Sequence, residues 1–138
     1  MPEASLNLEW IRPVDWGTMA TGESGDVEIE RAWLRTAQEL YHLFCKKQHD
    51  YGPTNIAVGG LDGVAIRVSD KVSRLWRLLG IGAYRGGDKG ARLDPANTDE
   101  SLRDTLLDLA DYGIIAALVH DGAWKTMTLE EAWDASIN

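Results

Sequence analysis

The stretch from Glu100 to His120 constrains this chain most, because only a helix makes sense of its two patterns. Glu100, Asp104, Asp108 and Asp111 recur at spacings of four, four and three, so a helix gathers four carboxylates on one stripe. Leu102, Leu106 and Leu109 then fall on the opposite side. Like charges at such spacing repel by some tenths of a kcal/mol per pair, about 1 kcal/mol over three neighbours. The helix dipole relieves Glu100 near the start, and does nothing for Asp108 or Asp111 in the middle. Cations are therefore expected against the stripe. From Ile114 to Val119 the sequence is apolar nearly all round, which predicts burial of this half and draws the acidic stripe toward the interior.

The same period runs through the rest of the chain. From Asp26 to about Asp50, Val27, Ala32, Leu34, Ala37, Leu40, Tyr41 and Phe44 recur at three and four, with Lys46, Lys47 and His49 at the negative end of the dipole and Gly52-Pro53 as the stop. Residues 52–63 hold four glycines and read as a loop. Val64, Val68, Val72, Leu75 and Leu79 predict a second helix over 64–79. The third helix starts at Thr98 or Asp99 and ends where Asp121 and Gly122 break it. Thr128, followed by Glu130 and Glu131, opens a short last helix to about Ala135. No strand-like alternation and no repeat occurs, so the class is all-α. Residues 1–25, with Trp10 and Trp16 among prolines and glycines, read as an irregular arm, and 26–138 as one all-α domain. The glycine-rich stretch 80–98, with Arg85, Lys89 and Arg92, is long for an idle connection.

Composition excludes several functions. Cys45 is the only cysteine, so no intramolecular disulfide forms, and a reducing, intracellular setting is expected. No apolar run approaches the roughly 18 residues of a membrane span, and no basic segment followed by an apolar block suggests a secretory signal. A net charge of −8 argues against polymeric nucleic acid as a partner. There is no GxxxxGK phosphate loop, GxSxG, HExxH or cysteine quartet.

Two clusters can carry chemistry. On the second helix Arg67, Asp70, Lys71 and Arg74 share a face; opposed to the third helix they pair with its carboxylates, and opposed to a ligand they meet phosphates. Carboxylates from adjacent helices with basic neighbours suggest a Mg²⁺ site working on phosphates. A network of structural salt bridges is the alternative, and spacing alone does not separate the two. The second cluster is Lys46, His49, Asp50 and Tyr51, which helix-end and capping chemistry explains, or which reaches a substrate. Cys45, beside Phe44, reads as a small core residue.

Three motifs in order carry a family resemblance: His49-Asp50-Tyr51-Gly52; Gly63 with Ile66-Arg67-Val68-Ser69-Asp70-Lys71 leading to Arg74-Leu75; and Glu100 through Tyr112. Over about Leu40 to Val119 the chain resembles the phage nucleotide-modification-associated domain family, itself similar to the MazG-like all-α nucleoside triphosphate pyrophosphohydrolases. The resemblance implies a compact helical bundle completed by oligomerisation, as a homodimer or homotetramer, in the cytoplasm (the host's, if phage-encoded). It implies Mg²⁺-dependent hydrolysis of a (deoxy)nucleoside triphosphate to monophosphate and pyrophosphate. Asp70, Asp104 and Asp108 would be the catalytic metal ligands; Lys46, His49, Asp50, Tyr51, Arg67, Lys71, Arg74 and Tyr112 would bind the nucleotide. Ser101 stands where the MazG-like pattern has a glutamate, and Asp70 is the only acid in the second-helix motif. The altered acidic set leaves a second expectation, a non-catalytic helical module that binds or sequesters a nucleotide or nucleotide-like signal.

Overall fold

The structure, a computed structural model, describes residues 19–81 and 99–137, the second span with side chains from Ser101 onward. The described residues form four α-helices and no strand: α1 Val27–Tyr51, α2 Thr54–Leu79, α3 Asp99–His120 and α4 Leu129–Ile137. The fold is all-α, as the periodicity predicts. The chain divides into two units, Met1–Gly52 and Pro53–Asn138.

In the first unit the start of α1 is fixed by short-range polar bonds. Asp26 caps the helix, its Oδ1 accepting from Ile29 N–H at 3.0 Å. The Glu30 carboxylate in the first turn reaches back to the preceding segment, accepting from the N–H and hydroxyl of Thr21 and the hydroxyl of Ser24, each at 3.0 Å. Gly52, at φ +69°, ends the helix and donates its N–H to Gln48 O. Leu40 is the buried residue of α1, while Ile29 and Trp33 are exposed. Cys45 is half-buried.

The second unit is α2 packed along α3, with the 121–128 segment returning over the start of α2. Here one expectation is overturned: 52–63 is not a loop, because α2 begins at Thr54. A helical glycine costs about 1 kcal/mol against alanine, which is why the local sequence reads as irregular. Burial outweighs that cost. Ile56, Ala57 and Val64 are all core residues, and the segment's carbonyls find partners, Ala57 O accepting from Met127 N–H and Pro53 O from Trp124 Nε1. Only Gly60 leaves helical geometry, at φ +58° and ψ −155°, and there α2 kinks. At its far end Gly80, left-handed at φ +66°, closes α2 with Gly80 N–H bonded to Arg77 O and Ile81 N–H to Trp76 O.

The face that α3 buries carries the end of the acidic stripe, and part of the apolar sequence stays outside. Thr105, Leu107, Asp111 and Ile115 are buried, whereas Leu106 and Ile114 are about half exposed. Of the acidic stripe Asp111 is buried and Asp108 half-buried, as the predicted draw toward the interior requires, while Asp104 is exposed; Leu102 and Leu109 are half-buried. Asp108 can be packed because α2 brings it the Lys71 ammonium. Of the apolar run after Asp111, Ile115 is buried and Ile114 is not.

Gly122, at φ +78°, turns the chain after α3, and Trp124 N–H bonds back to Leu118 O. Among the described tryptophans Trp124 is in the core, 9% exposed, and Trp33, Trp76 and Trp133 are at the surface. Thr128 and Glu131 form a reciprocal cap on α4, Thr128 N–H to Glu131 Oε2 at 2.6 Å and Glu131 N–H to Thr128 Oγ1 at 3.1 Å. Helix α4 runs two residues past the expected end and leaves Leu129, Trp133 and Ile137 exposed. The arm up to residue 18, its Trp10 and Trp16, the cap expected at Thr98 and the glycine-rich stretch beyond Ile81 lie outside the described residues.

Candidate functional site

Helix α2 presents Arg67, Lys71 and Arg74 at intervals of four and three, which stacks them on one face over about 10 Å of helix axis. With Asp70, Ser73, Arg77 and, from α3, Tyr112, they line an open cleft of about 560 Å³. That volume is within the usual range for small-molecule sites. Four cations and one carboxylate line the cleft, in a protein of net charge −8.

Helix α3 holds two of these cations from behind. Lys71 Nζ lies 2.8 Å from Asp108 Oδ2, with side chains 30% and 19% exposed, so the pair is partly shielded from water. Arg74 Nη2 donates to Ser101 Oγ at 2.9 Å. The Thr105 hydroxyl, in turn, donates to Ser101 O at 2.9 Å and ties down the same turn of α3. Arg67 lines the cleft and makes no ion pair among the described residues. An α2 cation thus meets an α3 carboxylate at Lys71 and Asp108, as two opposed charged faces predict. The remaining cations of the same face line the cleft.

Six of the residues expected at a site come together here: Arg67, Asp70, Lys71, Arg74 and Tyr112 in the lining, and Asp108 behind Lys71. Asp104 is exposed on α3 and is not part of the lining. Lys46, His49, Asp50 and Tyr51 belong to the other unit, on the last turns of α1, where His49, Asp50 and Tyr51 are exposed and His49 Nδ1 is 3.4 Å from Asp50 Oδ1. Ser101, Ser73 and Arg77 were not among the expected site residues. Arg77 could have been found by extending the basic period of α2 by one step; Ser101 could not, since nothing local marks a serine as an anchor for a residue 27 positions away.

The donor set bears on the implied Mg²⁺. A hard divalent ion needs several oxygen ligands at once. Among the described residues no three acidic, histidine or cysteine side chains gather as a metal site. Asp108 directs Oδ2 at an ammonium, Asp70 stands among arginines, and Asp104 is exposed. The expected trio does not make a metal-binding set in this arrangement.

Fold and site together define an all-α protein with a cation-lined cleft between two packed helices. No protein family, no curated protein and no solved structure matches the chain. Among the described residues no helix is long and apolar enough to cross a membrane.

Proposed function

We propose that this protein binds a nucleotide, or a nucleotide-like phosphate compound, in the α2–α3 cleft through its phosphates. The observation that carries the reading is the row Arg67, Lys71 and Arg74 beside Arg77 and Tyr112 in one open cleft. Guanidinium groups match phosphate oxygens two at a time, and charge-assisted bonds of this kind contribute about 1.5–3 kcal/mol each. Tyr112 offers a ring for a base and a hydroxyl for a phosphate or sugar. Binding without turnover is the form favoured, because Asp108 serves the Lys71 ammonium and Asp104 faces solvent.

Hydrolysis of a nucleoside triphosphate to monophosphate and pyrophosphate with Mg²⁺ is the second reading, favoured by Asp70 standing in the cleft lining itself. A homo-oligomer in the cytoplasm is the accompanying proposal; exposed Trp33, Trp133 and Ile137 are its support.

Titration calorimetry with nucleoside mono-, di- and triphosphates tests the site, together with an assay of pyrophosphate release in Mg²⁺. Affinity should rise with phosphate number and fall with salt, and Arg67→Ala should weaken it by about tenfold, which is 1.4 kcal/mol. No binding by any nucleotide refutes the site. Pyrophosphate release abolished by Asp70→Asn establishes the second reading over the first.

A further inference from the structure

We infer that Ser101 and Asp108 of α3 are positioning residues for the cations of α2, so that phosphate is bound by prearranged side chains without a divalent ion. The inference rests on the binding reading above and specifies how that cleft works.

Three observations on α3 carry it. Asp108 Oδ2 is 2.8 Å from Lys71 Nζ, the Ser101 hydroxyl accepts from Arg74 Nη2 at 2.9 Å, and both cations line the cleft. A free lysine or arginine forfeits up to about 2 kcal/mol of rotamer freedom when a ligand immobilises it. Here α3 has fixed both side chains beforehand, which lowers that cost at the moment of binding.

The two anchors differ in their electrostatic effect. Asp108 compensates the charge of Lys71, which keeps a partly buried ammonium stable and still leaves Nζ protons to donate. Ser101 holds Arg74 through a neutral hydroxyl, so Arg74 is oriented with its positive charge undiminished. A carboxylate at position 101 would hold Arg74 as well and cancel it. Together with Arg67, which no described residue neutralises, this leaves a cationic face strong enough to meet a phosphate chain directly. A magnesium ion would have to compete with the Lys71 ammonium for Asp108 and sit among arginine charges at Asp70.

Inorganic pyrophosphate is the probe, titrated calorimetrically into the full chain with EDTA and, separately, with Mg²⁺. Binding is expected in EDTA, weakened about three- to tenfold in Ser101→Ala and in Asp108→Asn, and retained in Ser101→Thr, which keeps the hydroxyl. Ser101 is half-buried, so the unfolding midpoint of each variant is measured alongside, and rescue of binding by threonine separates positioning from a packing defect. Pyrophosphate bound only with Mg²⁺ overturns this inference and leaves the binding site standing. Binding in EDTA that Ser101→Ala leaves unchanged overturns the positioning role. Absence of binding in both conditions overturns the inference and the site together.

Discussion

Adjacent glycines in α2 should respond in opposite directions to the same substitution. Gly60 is at φ +58° and ψ −155°, on the edge of a region that residues with a Cβ hardly enter, whereas Gly59 has ordinary helical geometry. Space is not the difference: a Cβ at Gly60 would meet Thr126 Cγ2 at 3.5 Å, an ordinary contact, and one at Gly59 would meet nothing within 4 Å. Gly60→Ala therefore costs about 1–3 kcal/mol of backbone strain, reduced by the roughly 0.4–1 kcal/mol that alanine gains by restricting the unfolded chain. The net loss is about 1–2 kcal/mol. Gly59→Ala removes no favourable conformation and gains up to about 1 kcal/mol of helix propensity. In a unit of this size each kcal/mol moves the melting midpoint by about 4–8 °C. Thermal unfolding followed by circular dichroism should place Gly59→Ala above the parent and Gly60→Ala below it, and urea titration should agree in sign. If both variants move the same way, α2 does not need the kink, and the account of how burial around Ile56, Ala57 and Trp124 holds 54–63 helical is wrong.

Two further outcomes follow from the helix starts. Thr128→Ala removes one half of the reciprocal cap on α4 and leaves the Glu131 N–H without its hydroxyl acceptor; it should cost about 1 kcal/mol and speed amide exchange in α4 while leaving α2 and α3 unchanged. Glu30 has its carboxyl held below the ordinary value of 4.5, chiefly by the backbone N–H of Thr21, which outweighs the opposing desolvation, with the hydroxyls of Ser24 and Thr21 adding to the lowering. A lowered folded value means stability present above pH 4.5 and lost as pH falls through the folded value. Glu30→Gln should thus flatten the acid limb of the stability curve, and an unchanged limb would show that the Thr21–Ser24–Glu30 bonds do not persist in solution.

Much of the site was legible in the sequence because helical geometry is local. The three- and four-residue intervals of Arg67, Lys71 and Arg74 place them on one face of any helix, and the repulsion within the Asp104–Asp108–Asp111 stripe demands a cation whatever the neighbours are. Which cation answers was not legible: Lys71 and Asp108 are 37 positions apart, and no period links them.

The sequence by itself determined that the chain is all-α, where α1 and α3 begin and end to within a residue or two, and that α2 carries a basic face and α3 an acidic one. Those properties follow from spacing, caps and breakers, whose physics acts over one or two helical turns. Tertiary structure alone decided that the chain is helical from Thr54, broken only by the kink at Gly60, that α3 leaves Leu106 exposed, and that the Ser101 hydroxyl restrains Arg74. Each of these depends on what a distant segment supplies: Trp124 and Met127 hydrogen-bonding the start of α2, and α2 bringing Lys71 to Asp108 and Arg74 to Ser101.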